Sequence, residues 1–273
     1  MYEGTESDWQ IPEFNTDQLK PKSKPFCLMV FVINEGQRIQ KQLANSKEIS
    51  KELDIIIADG GSTDESVNLA FLEEQQVTAR LTKTGAGKLS AQMRMGFAYA
   101  IAQGYEGVIC IDGNNKDLPL EAIRHLEMLK KGYHHVQGSR FIAGGVAINT
   151  PLIRWLAIRL LHAPLISLAS GRNQTDTTNG FRGYRTELLT DPNLQIFRDC
   201  FSSYELHFYL AIRSARLGYR LTEVPVTRQY PKGEKAPTKI SPWRGNLKVL
   251  ITLLAVALGR FNPSNLGAGY ESQ

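Results

Sequence analysis

The chain has 273 residues, of which 42% are hydrophobic and 22% are charged, as expected for a globular protein with one large domain or two small ones. Its three cysteines, Cys27, Cys110 and Cys200, are widely separated and form no CxxC pair, which argues against a disulfide framework or a zinc site. The first residues lack the pattern of a signal peptide, and no run approaches the roughly 18 apolar residues of a spanning helix. We therefore expect a protein of a reducing compartment that is not integral to a membrane.

Positive charge is concentrated near the end of a chain whose net charge is +5. Between Arg228 and Lys248 there are six basic residues and one acidic residue. Such a cluster suits a phosphorylated ligand, an anionic membrane or a nucleic acid, and it also occurs as a solvated basic surface. Nucleic acid is the poorest of these fits, because only Tyr230 and Trp243 are available within the segment to stack on bases. We expect no nucleic-acid partner.

Strands and helices are predicted to alternate in the first half of the chain. Residues 27–33, 55–58 and 107–111 are short apolar runs, each typical of a buried strand. Helix-compatible sequence separates them, a pattern that predicts a mostly parallel sheet with flanking helices. The polar residues 1–24 are expected to form a poorly ordered arm. The main α/β domain is then expected to span residues 25–240.

The second half is predicted to add helices to this domain. Residues 152–163 form an apolar segment with Thr150 and Pro151 as a helix start, and Pro164 is expected to break or kink the helix. Ser241 and Pro242 repeat that start before the last apolar run. Residues 241–273 are therefore expected to form a C-terminal amphipathic helix and a tail.

Polar residues follow three of the predicted strands at the point where each strand ends. They are Asn34-Glu35, Asp59-Gly60 and Asp112. In parallel sheets, ligands bind at the carboxyl ends of the strands, so these residues are expected to meet at one site. Asp59 suits the hydroxyls or base of a nucleotide, and Asp112 suits a divalent cation that bridges to a diphosphate. Helix or turn capping is the alternative role for each acid taken singly.

The order of these motifs resembles that of the family-2 nucleotide-sugar glycosyltransferases of the GT-A fold. INEG is followed by ADGGSTD, by a glycine loop that ends in Lys88, and by a strand that runs into DGN. The later motifs GSRF, DTTNGFR, EVPV and YPKGEKAPTKIS are similar to the dolichyl- and undecaprenyl-phosphate glycosyltransferases, which include dolichol-phosphate mannose synthase. The resemblance covers about residues 26–245. It implies inverting transfer of a sugar from a UDP- or GDP-sugar to a polyprenyl phosphate, with Mg²⁺ or Mn²⁺ as cofactor.

The resemblance also implies roles for individual residues. The nucleotide sugar is assigned to Asn34, Glu35, Asp59, Gly60, Lys88, Asp112 and Asn114. Catalysis is assigned to Asp112, Arg140, Arg154 and Arg182. The acceptor phosphate is assigned to Arg140, Arg154, Arg228 and Lys232, because guanidinium groups bind phosphate in a bidentate manner. Arg182, with Arg228 or Lys232, is a further candidate for contact with the diphosphate leaving group.

The chain departs from the family pattern at the expected metal site. Asn114 stands where the family has a second aspartate, and Pro119 lies one residue farther along than expected. Either Asn114 ligates the metal through its carbonyl oxygen, or Asp117 supplies the second carboxylate. Lys116 could also contact phosphate and partly replace a cation. Metal dependence with Asp112 as the anchor is the favoured interpretation.

Two alternatives to a phosphate acceptor remain open from sequence. A hydroxyl acceptor would require a general base, for which Asp176 and Glu205 are candidates, whereas an ionised phosphate requires none. The missing second aspartate also fits a nucleotide-sugar-binding protein without catalysis. Apolar helices that carry basic residues, predicted at 152–163 and 241–260, favour a lipid acceptor and a peripheral position on the cytoplasmic membrane face, through lipid or a membrane-protein partner. Core packing or a homo-oligomer interface would explain the same helices.

Overall fold

A computed structural model describes residues 8–44, 46–232 and 244–263. The strands in these residues are β1 (Phe14–Gln18), β2 (Phe26–Val32), β3 (Asp54–Asp59), β4 (Ala79–Lys83), β5 (Gly107–Asp112), β6 (His135–Ser139), β7 (Val146–Ile148), β8 (Arg182–Arg185), β9 (Leu221–Pro225) and β10 (Thr227–Gln229). The helices are α1 (Gln37–Ala44), α2 (Leu69–Glu74), α3 (Leu89–Ala102), α4 (Ala122–Lys130), α5 (Leu152–Ala157), α6 (Ala163–Ser170), α7 (Thr186–Leu189), α8 (Glu205–Arg216) and α9 (Arg244–Ala257).

One eight-stranded sheet organises the molecule, in the order β1-β4-β3-β2-β5-β8-β6-β9. Strands β4, β3, β2 and β5 are parallel to one another, whereas β8 runs antiparallel between β5 and β6. A second, two-stranded sheet pairs β10 with β7. The prediction of a mostly parallel sheet covered by helices is confirmed.

The register of the sheet sets the position of the strand-end acids. Asp59 at the end of β3 pairs with Val32, and Asp112 at the end of β5 pairs with Phe31. Both partners belong to β2, which therefore separates the two acids by the width of one strand. The carboxyl ends of β2, β3 and β5 meet at one edge of the sheet, as predicted.

Helices cover both faces of the central sheet. Strand β2 is buried along its whole length, and successive side chains enter opposite layers of the core. Met29 belongs to the layer that includes residues of α3 and α8, and Val30 belongs to the layer beneath α1 and α4. Leu253 of α9 is fully buried in the first layer, so this helix packs on the main core. The predicted start of the last helix, Ser241-Pro242, lies outside the described residues.

The expected N-terminal arm is instead part of the sheet in its described residues. Strand β1 pairs antiparallel with β4 and forms the edge of the sheet, and the ring of Trp9 stacks on that of Phe197 with 3.9 Å between centroids. Without β1, strand β4 would be an edge strand with unpaired backbone hydrogen-bonding groups. These groups can pair with the backbone of a polar segment such as β1. The arm prediction is wrong for residues 8–24, and residues 1–7 lie outside the described part.

Pro164 does not break its helix as expected. A π-helical segment, Ile158–His162, joins α5 to α6, and Pro164 lies in the first turn of α6. A wider turn accommodates the missing N–H of proline. The resulting helix, Leu152–Ser170, has a mean hydropathy of 1.5 and only 22% of it is buried, so by length and composition alone it could cross a membrane. This finding corrects the expectation that no described segment reaches that length.

Candidate active site at the carboxyl ends of the central strands

Asn34 and Asp59 join two loops at the edge of the sheet. Both carboxylate oxygens of Asp59 accept hydrogen bonds from the backbone N–H of Ser62, and the Ser62 hydroxyl donates to Oδ1 at 2.6 Å. The backbone N–H of Asn34 donates to the same hydroxyl, and Asn34 Oδ1 accepts from the N–H of Thr63 at 2.7 Å. The predicted nucleotide residues Asn34 and Asp59 therefore belong to one hydrogen-bonded network. Their contact with nucleotide stays a prediction.

The other predicted nucleotide residues surround this network. Glu35 accepts from Arg38 at 2.9 Å, and Gly60 donates its backbone N–H to Val32. A side chain at Gly60 would approach Ile33 within 3.3 Å, so glycine keeps this turn close to the preceding strand. Lys88 is exposed immediately before α3, where its backbone N–H donates to the carbonyl of Ser202.

Gln92 is a positioning residue that the sequence analysis missed. It lies on α3, 5% exposed, and its Nε2 donates to the carbonyls of Val32 and Ala58 at the ends of β2 and β3. One side chain thus ties the two strand ends together beneath the candidate site. A glutamine within a helix of mostly small and apolar residues was the only signal in the sequence.

Asp112 is the acid around which the site is organised. Gln42 donates to its backbone carbonyl at 2.9 Å, and a side chain at Gly180 would approach its carboxylate within 2.8 Å. The absence of a side chain at Gly180 lets the DTTNGFR turn lie directly against the carboxylate. Burial raises the pKa of Asp112, but the charges of Arg228 and Lys116 outweigh burial and bring it to about 2. The carboxylate is therefore ionised at neutral pH.

Arg228 of β10 bridges both acids of the DGNNKD segment. Its guanidinium donates to Asp112 Oδ2 at 3.0 Å and to Asp117 Oδ2 at 2.5 Å. It also donates to Asn179 Oδ1 at 2.9 Å. The side chain of Asp112 is 26% exposed, whereas that of Asp117 is fully enclosed. Arg228 was predicted to bind a phosphate and is found holding together the three segments that form the floor of the site.

Four cationic side chains surround the ring of Tyr230. Lys116 Nζ lies 5.2 Å from the ring centroid, and Arg154 donates to the Tyr230 hydroxyl at 3.0 Å. Burial raises the pKa of Tyr230, but the positive charges of Arg228, Arg154, Lys116 and Arg140 outweigh burial and lower the pKa to about 8. We call Lys116, Arg140, Arg154 and Arg228 the cationic cluster. Such a concentration of charge is suited to an anion with more than one phosphate.

Arg140 enters this cluster as a buried ion pair. Its guanidinium donates to Asp176 from Nε at 2.6 Å and from Nη2 at 2.8 Å, and both side chains are at most 1% exposed. Within the described part of the chain its Nη1 has no hydrogen-bond partner. Arg140 therefore contributes positive charge to the site from a buried position, and Asp176 fixes the position of its guanidinium.

Arg182 has a different role from the predicted one. It is 1% exposed, and its guanidinium donates to the backbone carbonyls of Asn179, His207 and Thr177 at 2.7 to 2.9 Å. These bonds occupy the guanidinium and fix the DTTNGFR turn against α8. The assignment of Arg182 to the diphosphate is corrected to a structural role. Lys232 is exposed beyond β10, Lys235 and Lys239 of the predicted basic cluster lie outside the described residues, and Lys248 is exposed on α9.

The predicted ligands of a divalent metal are already engaged with protein partners. Asn114 Nδ2 donates to Asp112 Oδ2 at 3.3 Å, and Asn114 Oδ1 accepts from the N–H of Lys116, so its carbonyl oxygen is directed away from the carboxylate. Asp117 is enclosed and bound to Arg228. No group of three or more His, Cys, Asp or Glu residues in the described ranges is arranged to hold a metal ion. Asp112, which is partly exposed and already paired with arginine, and His207, which interacts with it and whose Nδ1 has no hydrogen-bond partner in the described residues, are a sparse donor set for Mg²⁺ or Mn²⁺.

The comparisons with known proteins agree with the motifs. No family model matches the sequence. The chain is 29% identical over 203 residues to an undecaprenyl-phosphate mannosyltransferase of Micrococcus luteus, covering 71% of this chain and 79% of the relative. It is 26% identical over 200 residues to a polyprenol monophosphomannose synthase of Mycolicibacterium smegmatis, covering 71% and 73%. The resemblance to polyprenyl-phosphate glycosyltransferases is thereby confirmed.

The fold matches that of a solved glycosyltransferase. Glucosyl-3-phosphoglycerate synthase from Mycobacterium tuberculosis, solved with Mn²⁺, UDP and phosphoglyceric acid, aligns with a TM-score of 0.60 at 18% identity. The alignment covers 91% of this chain and 82% of the synthase. At this identity the likeness concerns the fold, and the predicted GT-A architecture is confirmed.

Proposed function

We propose that this chain, a glycosyltransferase of the GT-A fold, transfers a sugar with inversion from a UDP- or GDP-sugar to a polyprenyl phosphate at a membrane surface. The observation that carries the proposal is the cationic cluster around Tyr230, directly beside Asp112. A reaction between two phosphorylated substrates brings several negative charges together. Cations placed in advance lower the free energy of that encounter.

The reaction is a single displacement. An oxygen of the acceptor phosphate forms a bond to the anomeric carbon of the sugar, and the bond from that carbon to the β-phosphate oxygen breaks. The electron pair of the broken bond leaves with the nucleoside diphosphate, whose negative charge increases. Arg154, half-exposed beside Tyr230, is placed to orient the acceptor phosphate. Asn34, Glu35, Asp59 and Gly60 are assigned to the nucleoside.

The positions of the two candidate bases favour a phosphate acceptor. Asp176 is fully buried and bound to Arg140. Glu205 is 8% exposed and accepts a hydrogen bond from the backbone N–H of Ser203 at 2.6 Å. Asp176 is therefore not free to take a proton from a hydroxyl, and Glu205 is largely buried, whereas a hydroxyl acceptor requires an accessible base. An ionised phosphate requires no base.

Two helical segments offer an apolar surface for the lipid. On Leu152–Ser170 and α9, which contact each other, several large apolar side chains are exposed: Leu152, Ile153, Leu160, Leu168, Leu247 and Ile251. The exposed cations Arg159 and Lys248 lie on the same two segments. Apolar side chains bordered by cations bind the headgroup region of anionic membranes. We assign this surface to peripheral contact with the cytoplasmic membrane face.

A substrate screen tests the proposal. Purified chain is incubated with UDP- and GDP-sugars and a short polyprenyl phosphate, and the products are separated into lipid-linked and soluble sugar. We expect sugar to appear on the lipid phosphate. Transfer to a free polyprenol or a soluble glycan, with none to the polyprenyl phosphate, would contradict the proposal, and binding of donor without turnover under any condition would favour the non-catalytic alternative.

A further inference from the structure

We propose that Lys116, with the charge of Arg228 behind it, neutralises the donor diphosphate in this enzyme, in the position where a divalent cation would otherwise act. The inference rests on the proposed function, since it requires a nucleoside diphosphate donor. It follows from the disagreement between the expected metal site and the side chains present. The DGNNKD segment lacks a second exposed carboxylate, but it contains Lys116.

The first argument is the charge already present at Asp112. Arg228 lies 3.0 Å from Oδ2 of this carboxylate and is itself 4% exposed. A divalent ion bound to Asp112 would lie close to this fixed guanidinium, with Lys116 interacting electrostatically with both side chains. Because Arg228 and Lys116 already compensate the charges of Asp112 and Asp117, little negative charge is left at this position to hold a divalent ion. The same positive charge favours a diphosphate.

The second argument is the rigidity with which the two cations are held. The backbone carbonyl of Lys116 accepts from the N–H of Gln229 at 2.7 Å, and Asp117 forms a backbone bridge with Arg228. Gln42 Oε1 accepts from the N–H of Asn115 at 2.6 Å. These bonds connect the DGNNKD loop to β10 on one side and to α1 on the other. The lysine and the arginine are thus parts of one preorganised unit, which suits stabilisation of a leaving group.

The third argument is the position of Asn115. Its φ of 55° is left-handed, and this turn lies between Asn114 and Lys116. The turn allows the Asn114 side chain to bond back to Asp112 while Lys116, 5% exposed, enters the cluster near Tyr230. Asn114, at the position of the expected second acid, thus donates a hydrogen bond to Asp112 through its side-chain amide. Lys116, two residues later, supplies positive charge.

Nucleotide binding tests the inference without turnover. The full chain is titrated by calorimetry with UDP, GDP, CDP and ADP, once with EDTA and once with Mn²⁺. We expect the best ligand to bind with similar affinity in both buffers. In EDTA, Lys116→Gln should weaken diphosphate binding by about tenfold or more, the usual loss for one hydrogen bond to a charged group. The corresponding monophosphate should lose less, and Lys116→Arg should restore binding.

Two further variants make the result specific. Lys41→Gln removes the same charge from the exposed face of α1 and should leave binding unchanged. Asn114→Asp supplies the missing carboxylate and is expected to bind Mn²⁺, measured by the loss of the free-ion signal in electron paramagnetic resonance, where the wild-type chain does not. Diphosphate binding by the wild-type chain in Mn²⁺ but not in EDTA would overturn the inference and leave the proposed function standing. Failure of every diphosphate in both buffers would overturn the proposed function, and the inference with it.

Discussion

Arg228 donates a hydrogen bond of 3.0 Å to Asp112, a residue 116 positions earlier in the chain. Asp112 ends a central strand, whereas Arg228 belongs to the small sheet beside the main one. The contact therefore joins the strand-end acids of the first half of the chain to the arginines that the second half contributes to the cationic cluster. Through this contact the carboxylate of Asp112, in the DGN motif, is paired with a positively charged side chain of the protein itself.

Substitution of Asp112 is expected to abolish transfer without unfolding the chain. In Asp112→Asn, Arg228 keeps its bonds to Asp117 and Asn179, so the floor of the site remains intact. We expect kcat/KM to fall by at least about 100-fold, the scale for loss of one preorganised polar group. Circular dichroism checks the fold. Asp17→Asn, which breaks an ion pair with Arg80 at the sheet edge, is the control with near-normal activity.

Substitution of Arg154 should affect the acceptor more than the donor. Arg154 is half-exposed and bonded to the Tyr230 hydroxyl, so Arg154→Gln removes one phosphate contact while leaving the buried cations in place. We expect the KM for polyprenyl phosphate to rise by about tenfold, with a smaller change in the KM for the nucleotide sugar. Arg220→Gln, at an exposed position against Tyr133 before β9, is the matched control. Equal increases in both Michaelis constants would count against an acceptor role.

Activity should fall at alkaline pH because of Tyr230. The surrounding cations lower the pKa of Tyr230 to about 8, so its hydroxyl is neutral below that pH and becomes a phenolate above it. The phenolate would compete with the acceptor phosphate for Arg154. We expect the KM for polyprenyl phosphate to increase as pH rises through that pKa, and Tyr230→Phe to lack the increase. Tyrosinate absorbance titrated in both proteins checks the assignment directly, and a wild-type titration near the ordinary tyrosine pKa would refute it.

Removal of Arg140 should mainly destabilise the protein. Arg140→Met leaves the carboxylate of Asp176 buried without its partner, which typically costs about 3–5 kcal/mol of unfolding free energy. The double variant Arg140→Met with Asp176→Leu removes both charges and should recover most of that loss. Denaturant unfolding measures both variants. A stable single variant would show that the pair contributes little to folding.

Exposed leucine and isoleucine side chains on Leu152–Ser170 should control membrane binding. Ile153 and Leu168 are each 83% exposed, so Ile153→Ser with Leu168→Ser should preserve the fold. We expect co-sedimentation with anionic vesicles to fall by about tenfold, because two large apolar side chains no longer enter the lipid. Leu120→Ser removes an exposed leucine at another place in the fold, before α4, and is the control. Undiminished vesicle binding by the double variant would assign membrane contact elsewhere.

The central sheet and the strand-end acids could be predicted from local patterns in the sequence. Apolar runs specify buried strands locally, and a parallel sheet brings their carboxyl ends to one edge, so the positions of Asp59 and Asp112 followed from pattern alone. The order of the motifs also determined the glycosyltransferase resemblance. These properties depend on neighbours in the chain, which a sequence displays directly.

The roles of the charged side chains, by contrast, depend on contacts that form in the folded chain. The arginines at 140, 182 and 228 look equally suited to phosphate in sequence, yet one is paired with Asp176, one with backbone carbonyls and one with Asp112. The roles of Asn114 and Asp117, and the continuity of the helix through Pro164, were decided in the same way. A buried charge must find its partner wherever the fold brings one within reach, and for Arg228 that partner, Asp112, is 116 residues away.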